Sequence, residues 1–537
     1  MSPTDLVVRP LFAEFPPPTE GDWREAARAE LGGKTVEEKL GDRKLDGIPI
    51  QPIYTRSAEA GLPHLGSRPG SAPFVRGGRG EPGPWAVRVD VDEARPAQAA
   101  ARVAAELDGG ATEIAVLADR AARGELDPHD ARSRGAVGED GVSIATCADL
   151  DAIVAVLDPS AHALVIATGA APLGLAARAI ASLGTRSASL DSLTVAADPL
   201  GALAASGTSH APLDAAYGEL AALARWAARH GSALRVAVAS GAPYHDAGAS
   251  VDQELGLAVA AAVEYLRALV DRGVPAPEAA RRIAFSFPVG TRLFLEAAKL
   301  RAARLVWGQV LAAFDCEAAA ARVRIHATTS RRSETEFDPW VNMIRGTVEA
   351  FAAVVGGADS VSVAPFDHAL RPSDGHSQRV ARNTHALLRD ESHLAKVQDP
   401  GGGSYFVESL TDAIARKAWG VLQQIEKEGG LAAALASGRA QALVVARSGE
   451  RRAAASKRLE PLIGVSKFPN LGEQRPARSP CDRKALREER IADLSRQRAA
   501  LDADRLVAAL AALAAERDPV ARVEKAIAAA ASGATLG

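Results

Sequence analysis

Short runs rich in β-branched residues alternate with longer alanine-rich stretches from Trp85 to about residue 440, and this alternation constrains the chain more than any single motif. The strand candidates are 111–118, 141–146, 162–168, 190–196, 233–239, 282–288, 321–328 and 358–364, each followed by a stretch of helical periodicity. Connections of that length imply parallel crossovers rather than hairpins. Eight such pairs predict an α/β protein built as a (β/α)8 TIM barrel. An open doubly wound sheet of eight strands would show the same alternation and is the architectural alternative.

The stretch from Arg331 to Leu410 shows the repeating unit most clearly. Asp338 is expected to cap a helix whose first residue is Pro339, where the missing N–H costs nothing. Apolar residues then recur at Val341, Ile344, Val348, Phe351, Ala352 and Val355, the spacing of one buried helical face, until Gly356 and Gly357 end the run. Residues 360–365 read as the next strand. Ahead of the barrel, residues 1–70 read as an arm, with a capped helix beginning near Thr19 and an extended DGIPIQPIYTR whose prolines exclude helix. The barrel is assigned to 71–446. Residues 447–482 are charged and turn-rich and read as a linker, and 483–531 return to helix.

Aromatic residues make up only 4% of the chain while apolar content is 47%, much of it alanine, so cores are built from small side chains on readily formed helices. A formal net charge of −3, with Lys and Arg scattered, gives no electrostatic case for nucleic acid or a membrane surface. Cys147, Cys316 and Cys481 have no metal-ligand spacing and are too few for a disulfide framework, which fits a reducing cytosol. The first residues contain no signal-peptide core, and no run approaches the ~18 apolar residues of a membrane span.

DPWVNMIR at 338–345, EAFAAVVGGADSVSVAPFD at 349–367, ARNTHALLRDESHLAKVQDPGGGSYFVE at 381–408, SGAPYHDAGASVDQELG at 240–256 and GIPIQPIYT at 47–55 together resemble the cobalamin-dependent acyl-CoA mutases, specifically the methylmalonyl-CoA mutase family. The resemblance runs from about residue 20 to the C-terminus. No single piece would carry it: DPGGGS alone is a turn in most proteins and lacks the Lys-Ser/Thr ending of a phosphate-cradling loop. It implies the barrel rather than the open sheet, and an arm that wraps a partner subunit. Full-length relatives continue into a cobalamin-binding domain, which is expected to be absent here because the chain stops at Gly537. Two partial matches to that domain's Asp-x-His-x-x-Gly, DGHSQR at 374–379 and DPHDAR at 127–132, end in Arg and lie in the barrel region, so both are expected to be loop residues.

The family's reaction needs a sealed site, a donor to the thioester carbonyl and a cation for the substrate carboxylate, a task suited to the planar fork of Arg. Catalytic members carry Ser-Gly-Tyr-His after the fifth strand; here Pro243 falls where the His belongs, and proline has no donor. His245, two residues on, could take over or bond locally. Before the first strand, Pro84, Trp85 and Arg88 are kept, but the tyrosine that covers the radical is Asp90, a carboxylate that would repel a dicarboxylate substrate. Residues 194–210 hold no Arg where the carboxylate binder belongs. After the seventh strand the substrate-binding Gln is replaced at Thr328, and His326 alone survives, as a ligand or a buried structural histidine. The loop GGRGEPG at 77–83 is shorter than the family's CoA-contacting loop.

Losses in four loops on a kept scaffold read as decay of one site. The resemblance therefore implies the small, non-catalytic subunit of a heterodimeric methylmalonyl-CoA mutase, working beside a catalytic large subunit that holds adenosylcobalamin and the acyl-CoA. Catalytic residues, cofactor ligands and metal ligands are expected in this chain to be none, with His245 and His326 as the residual substrate-binding candidates. The alternatives are the catalytic subunit of a split isobutyryl-type mutase with a separate cobalamin chain, and a barrel that takes CoA as a regulatory ligand. The dimerisation surface is expected on the arm and around 338–366, where the match is best.

Overall fold

The computed structural model describes residues 15, 18–40, 43–186, 189–209, 211–316, 318–319, 323–473 and 482–537. It divides into two units, Met1–Leu62 and Pro63–Gly537. In the first, the helix Glu20–Glu30 starts as expected at Thr19: the Thr19 hydroxyl accepts the Asp22 N–H and the Asp22 carboxylate accepts the Thr19 N–H. Lys44–Leu45 and Ile48–Pro49 pair antiparallel across Asp46 and Gly47, whose φ values of 54° and 79° make the Asp-Gly hairpin turn that matches strand twist.

The second unit is the barrel. Its strands are β1 Ala86–Val91, β2 Glu113–Leu117, β3 Ala163–Gly169, β4 Leu193–Ala197, β5 Ala237–Ser240, β6 Ile283–Val289, β7 Arg324–Thr329 and β8 Ser360–Ser362. All neighbours run parallel in the order β4-β3-β2-β1-β8-β7-β6-β5. A bridge between Thr194 and Arg235, with the Val195 N–H donating to the Arg235 carbonyl, draws the two end strands together. The eight-stranded barrel is therefore correct, with two strands reassigned. The first is 86–91, which the sequence reading placed ahead of the first strand; it pairs with both β2 and β8. Residues 141–146 form no strand: Val142 makes a single bridge to Ala118, after which Thr146 caps the next helix.

The helices between strands are α1 Pro96–Asp108, α2 Cys147–Ala155, α3 Pro172–Gly184, α4 Leu213–Arg229, α5 Val251–Asp271, α6 Leu293–Ala313 and α7 Trp340–Val355. After β8 come α8 Gly375–Ala386, α9 Tyr405–Lys427 and α10 Arg439–Ser456. Proline opens α1 and α3, and Ser250 with Gln253 boxes the start of α5. Gly256 lets α5 and α9 approach, since a Cβ there would lie 2.7 Å from that of Val421. Phe285, Phe287 and Trp307 form an aromatic cluster between β6 and α6. The glycine turn ahead of α9 is pinned by buried ions: Asp399 and Glu408 both hold Arg301 and Arg76. Neither Cys147 nor Cys316 is in a disulfide, and Cys481 lies outside the described residues.

Three expectations need correction. Residues 447–456 continue α10 rather than beginning a linker. Asp338 does not cap α7: it sits at φ 47°, its N–H donates to the Glu473 carboxylate, and the helix starts after Pro339. The apolar stripe of α7 is not its buried face either. Of the stripe only Ala352 is buried; Val341, Val348, Phe351 and Val355 are partly covered and Ile344 is exposed, while Asn342, Arg345 and Glu349 join Ala350 and Ala353 on the inward face. The polar face can be buried because it is fully engaged. Asn342 donates to the Thr335 and Phe366 carbonyls, Arg345 to Thr335, Asn342 and the Ile463 carbonyl, and Glu349 accepts from Ser330 N–H and Ser333 Oγ.

Helices α11 Arg483–Ala499, α12 Ala503–Ala515 and α13 Pro519–Ala531 pack back onto the barrel. Buried Arg490 donates to Asp149 at 2.6 Å and to the Ser143 carbonyl, and Arg178 donates to the Ala534 carbonyl. Arg490→Ala would strand the Asp149 charge, so unfolding free energy should fall by about 3–5 kcal/mol and the C-terminal helices should become sensitive to limited proteolysis; equal denaturant midpoints would refute the pairing.

Candidate functional site

In a (β/α)8 barrel, functional side chains come from the C-terminal ends of the strands and the loops that follow them. That mouth contains a cleft of about 1040 Å³ whose lining includes Asp90 from β1, Thr328 and Thr329 from β7, Pro365 after β8, and Arg102 and Arg382 from α1 and α8. The two arginines converge on carboxylates: Arg102 lies 2.7 Å from Glu93, and Arg382 lies 2.6 Å from Glu106. Thr328 thus reaches the mouth, where it offers a hydroxyl.

Below the cleft, charged side chains cross the barrel. Arg88 donates to Asp90 at 2.7 Å, and Ser362 Oγ donates to the other Asp90 oxygen at 3.0 Å. Arg324 pairs with Glu113, whose second oxygen accepts Ser360 Oγ at 2.8 Å. His326 stands between these chains, with Nδ1 3.1 Å from Ser360 Oγ. Burial alone would raise the recessed Asp90 carboxyl, yet the adjacent Arg88 outweighs it and holds the group at about 2. Burial, reinforced by Arg88, drives His326 well below the ordinary histidine range, so its imidazole is neutral. What remains of the axis is a cavity of about 170 Å³ lined by small residues such as Thr194, Ser240, Ala284 and Ser286 together with Arg88, Arg324 and His326.

The other candidates lie outside this interior. Pro243 opens a short helical turn, Ala242–Asp246, directly after β5, where its ring suits the first turn and supplies no donor. His245 is 1% exposed, and both ring nitrogens are engaged, Nδ1 by Glu254 at 2.9 Å and Nε2 by Ser330 at 2.7 Å. Glu254 also binds buried Lys299. This network joins the loops after β5 and β7 to α5 and α6, and His245 lines neither the cleft nor the cavity. After β4, Asp198 caps the helix Pro199–Ser206 and holds Tyr265 and the Ser240 N–H; burial pushes it up to about 6. No arginine occurs among described residues 194–209, and His210 lies outside them.

The residues do not fit a cobalt ligand set. The Asp374 carboxylate accepts the backbone N–H groups of His376 and Ser377 rather than orienting an imidazole, and exposed His376 faces Phe366 edge-on. His129 Nδ1 is 3.8 Å from Asp127, which is occupied by Arg498 and the Gly537 N–H. No group of three or more metal-ligating side chains gathers among the described residues.

Sequence reading missed Glu113 and Arg324. Their signal was available: Arg324, His326 and Thr328 alternate along one strand and share its inward face.

Fold and mouth together define a parallel (β/α)8 barrel with an open cleft at the C-terminal ends of its strands. The family described as methylmalonyl-CoA mutase matches residues 43–537. A methylmalonyl-CoA mutase small subunit from Streptomyces virginiae is 39% identical over 480 residues, covering 88% of this chain and 73% of the relative. A small subunit from Porphyromonas gingivalis is 31% identical over 86% of this chain and 72% of its own length. A methylmalonyl-CoA mutase from Rhizobium meliloti is 32% identical over 92% of this chain and 70% of its own. The chain belongs to the methylmalonyl-CoA mutase family.

Because His326 is held neutral in the fold, its contribution to stability is present above its unfolded value near 6.5 and is lost as pH falls below it, by roughly 1.4 kcal/mol per unit. Denaturant titrations at pH 7.5 and 5 should show a smaller acid loss for His326→Gln than for the unchanged chain; identical losses would place the acid sensitivity elsewhere.

Proposed function

We propose that this chain is the small, non-catalytic subunit of a heterodimeric adenosylcobalamin-dependent methylmalonyl-CoA mutase, supporting a large subunit that interconverts methylmalonyl-CoA and succinyl-CoA. The observation that carries the reading is the ionic filling of the barrel axis by Arg88, Asp90, Glu113 and Arg324, with His326 hydrogen-bonded between them. A thioester entering there would have to displace paired charges, and its carboxylate would meet Asp90. Pro243 and Thr328 add the loss of the carbonyl donor and of the amide contact. On this reading adenosylcobalamin and the acyl-CoA are held by the large subunit, in a cytoplasmic complex.

One observation favours a second reading, of CoA as a regulatory ligand: the open cleft carries Arg102 and Arg382 near its wall.

The test is mutase turnover, with adenosylcobalamin and methylmalonyl-CoA, of this chain alone, the large subunit alone and the mixture. Turnover is expected only where the large subunit is present, with the mixture melting at higher temperature. Turnover by this chain with only a cobalamin-binding chain added would overturn the proposal. Calorimetric binding of CoA to this chain alone would establish the second reading.

A further inference from the structure

Helix α12 is well formed, with Asp502 capping it by accepting the Arg505 N–H at 3.1 Å. From Leu506 to Ala515 every residue is apolar. A helix that is apolar all round is normally enclosed all round. This one is covered on one side only. Leu513 packs on the alanines of α3 and α13, with Leu506 and Ala509 half-buried on the same side, yet none of the 13 residues of the helix is fully buried.

The uncovered side has an order of its own. Val507, Leu510, Ala511 and Ala514 stand at the i, i+3, i+4 and i+7 spacing of a single stripe, with Val507 66% and Leu510 43% exposed. The two large side chains fill its first half and the two alanines its second. Turned end over end about a point between Leu510 and Ala511, the stripe meets its own complement: Val507 would lie over Ala514 of a second copy, and Leu510 over its Ala511. A parallel pairing would set Val507 on Val507 and leave the alanines facing each other across a gap.

Charge follows the same reversal. It brings Asp504 level with Arg517, and Arg505 level with Glu516, so each end of the helix would meet unlike charge, whereas a parallel pairing would oppose like charges. A patch that fits itself in size and in sign under a twofold rotation is what an isologous dimer requires. The area sets the strength. Helices that meet through alanine approach to about 8 Å, and one helix of this length offers on the order of 400 Å² per partner, half of a standard interface, so the pairing is reversible rather than permanent.

We infer that α12 is a self-association surface, on which a second copy of this chain docks by antiparallel pairing of the two α12 helices. The inference does not rest on the small-subunit reading. Where both hold, two complexes are joined through their small subunits.

The test is sedimentation equilibrium of the full chain alone, from about 1 to 200 μM, a range that brackets an interface of this size. The unchanged chain should pass from monomer to dimer with a midpoint in the tens of micromolar, on the order expected for that area. Val507→Glu with Leu510→Glu should leave it monomeric throughout, with unchanged circular dichroism. Ala511→Leu separates shape from stickiness: it adds apolar surface but sets leucine against leucine, so the dimer should weaken by about tenfold. Asp504→Arg alone and Arg517→Asp alone should each weaken it by about threefold, and the two together should restore it. Val445→Glu, at an exposed valine of α10, should associate as the unchanged chain does. A chain that stays monomeric over the whole range would overturn the inference, as would a dimer that tolerates Val507→Glu with Leu510→Glu or one that Ala511→Leu tightens. A monomer that binds the mutase large subunit, and loses it in the Val507/Leu510 variant, would overturn the second copy as occupant. None of these outcomes alters the turnover test of the small-subunit reading.

Discussion

A closed ring of eight parallel strands leaves an axis that side chains must fill, and most such barrels fill it with branched apolar residues in layers. This one keeps small residues along β4, β5 and β6 and spans the remaining space with charge from β1, β2 and β7. Arg324 and Glu113 are drawn together, and Arg88 holds Asp90, because an ion removed from water persists only when paired and hydrogen-bonded. Ser360 and Ser362 complete the coordination from β8, so the shortest strand is tied into both chains. The depressed Asp90 carboxyl and the neutral His326 follow from that arrangement, as does the small volume left open on the axis.

The same principle recurs on the outside of the barrel. Arg490 with Asp149 fastens α11, Arg301 with Asp399 and Glu408 fastens the turn into α9, and the inner face of α7 is held by Asn342, Arg345 and Glu349. In a chain with few aromatics and much alanine, packing between helices is shallow, and buried polar networks define which loop sits on which helix. Burial pushes the Glu349 carboxyl up to about 8, which makes it a proton-bearing partner for Ser333 near neutral pH and lets it sit inside without a cation.

Much of the architecture was legible in the chain because β-branched runs bounded by turns and alanine-rich crossovers are local signals. β1 was not, since Arg88 and Asp90 interrupt its apolar rhythm on the face that turns to the axis, and a strand with an ionic inner face resembles a loop. Residues 141–146 misled in the opposite way, with strand composition but hydrogen bonds used up at Val142 by one bridge. The apolar stripe on α7 was correctly spaced but only partly buried, Ala352 fully and Ile344 not at all, because periodicity reports that one side of a helix is apolar and says nothing of which neighbour covers it. At the site, Asp90, Pro243 and Thr328 could be singled out residue by residue from the resemblance, whereas the pairing of Arg324 with Glu113 joins positions far apart in sequence and exists only once the ring is closed.

That pairing has a consequence for descent. Glu113 is 2% exposed, so replacing Arg324 alone would leave a charge stranded inside the ring, and replacing Glu113 alone would leave the guanidinium without its counter-ion. Clearing the axis therefore requires two changes, each destabilising alone, a case of coupling between neighbours. The pairing is thereby self-preserving: each partner is held in place by the cost of losing the other, so selection for a stable barrel is enough to keep the axis filled.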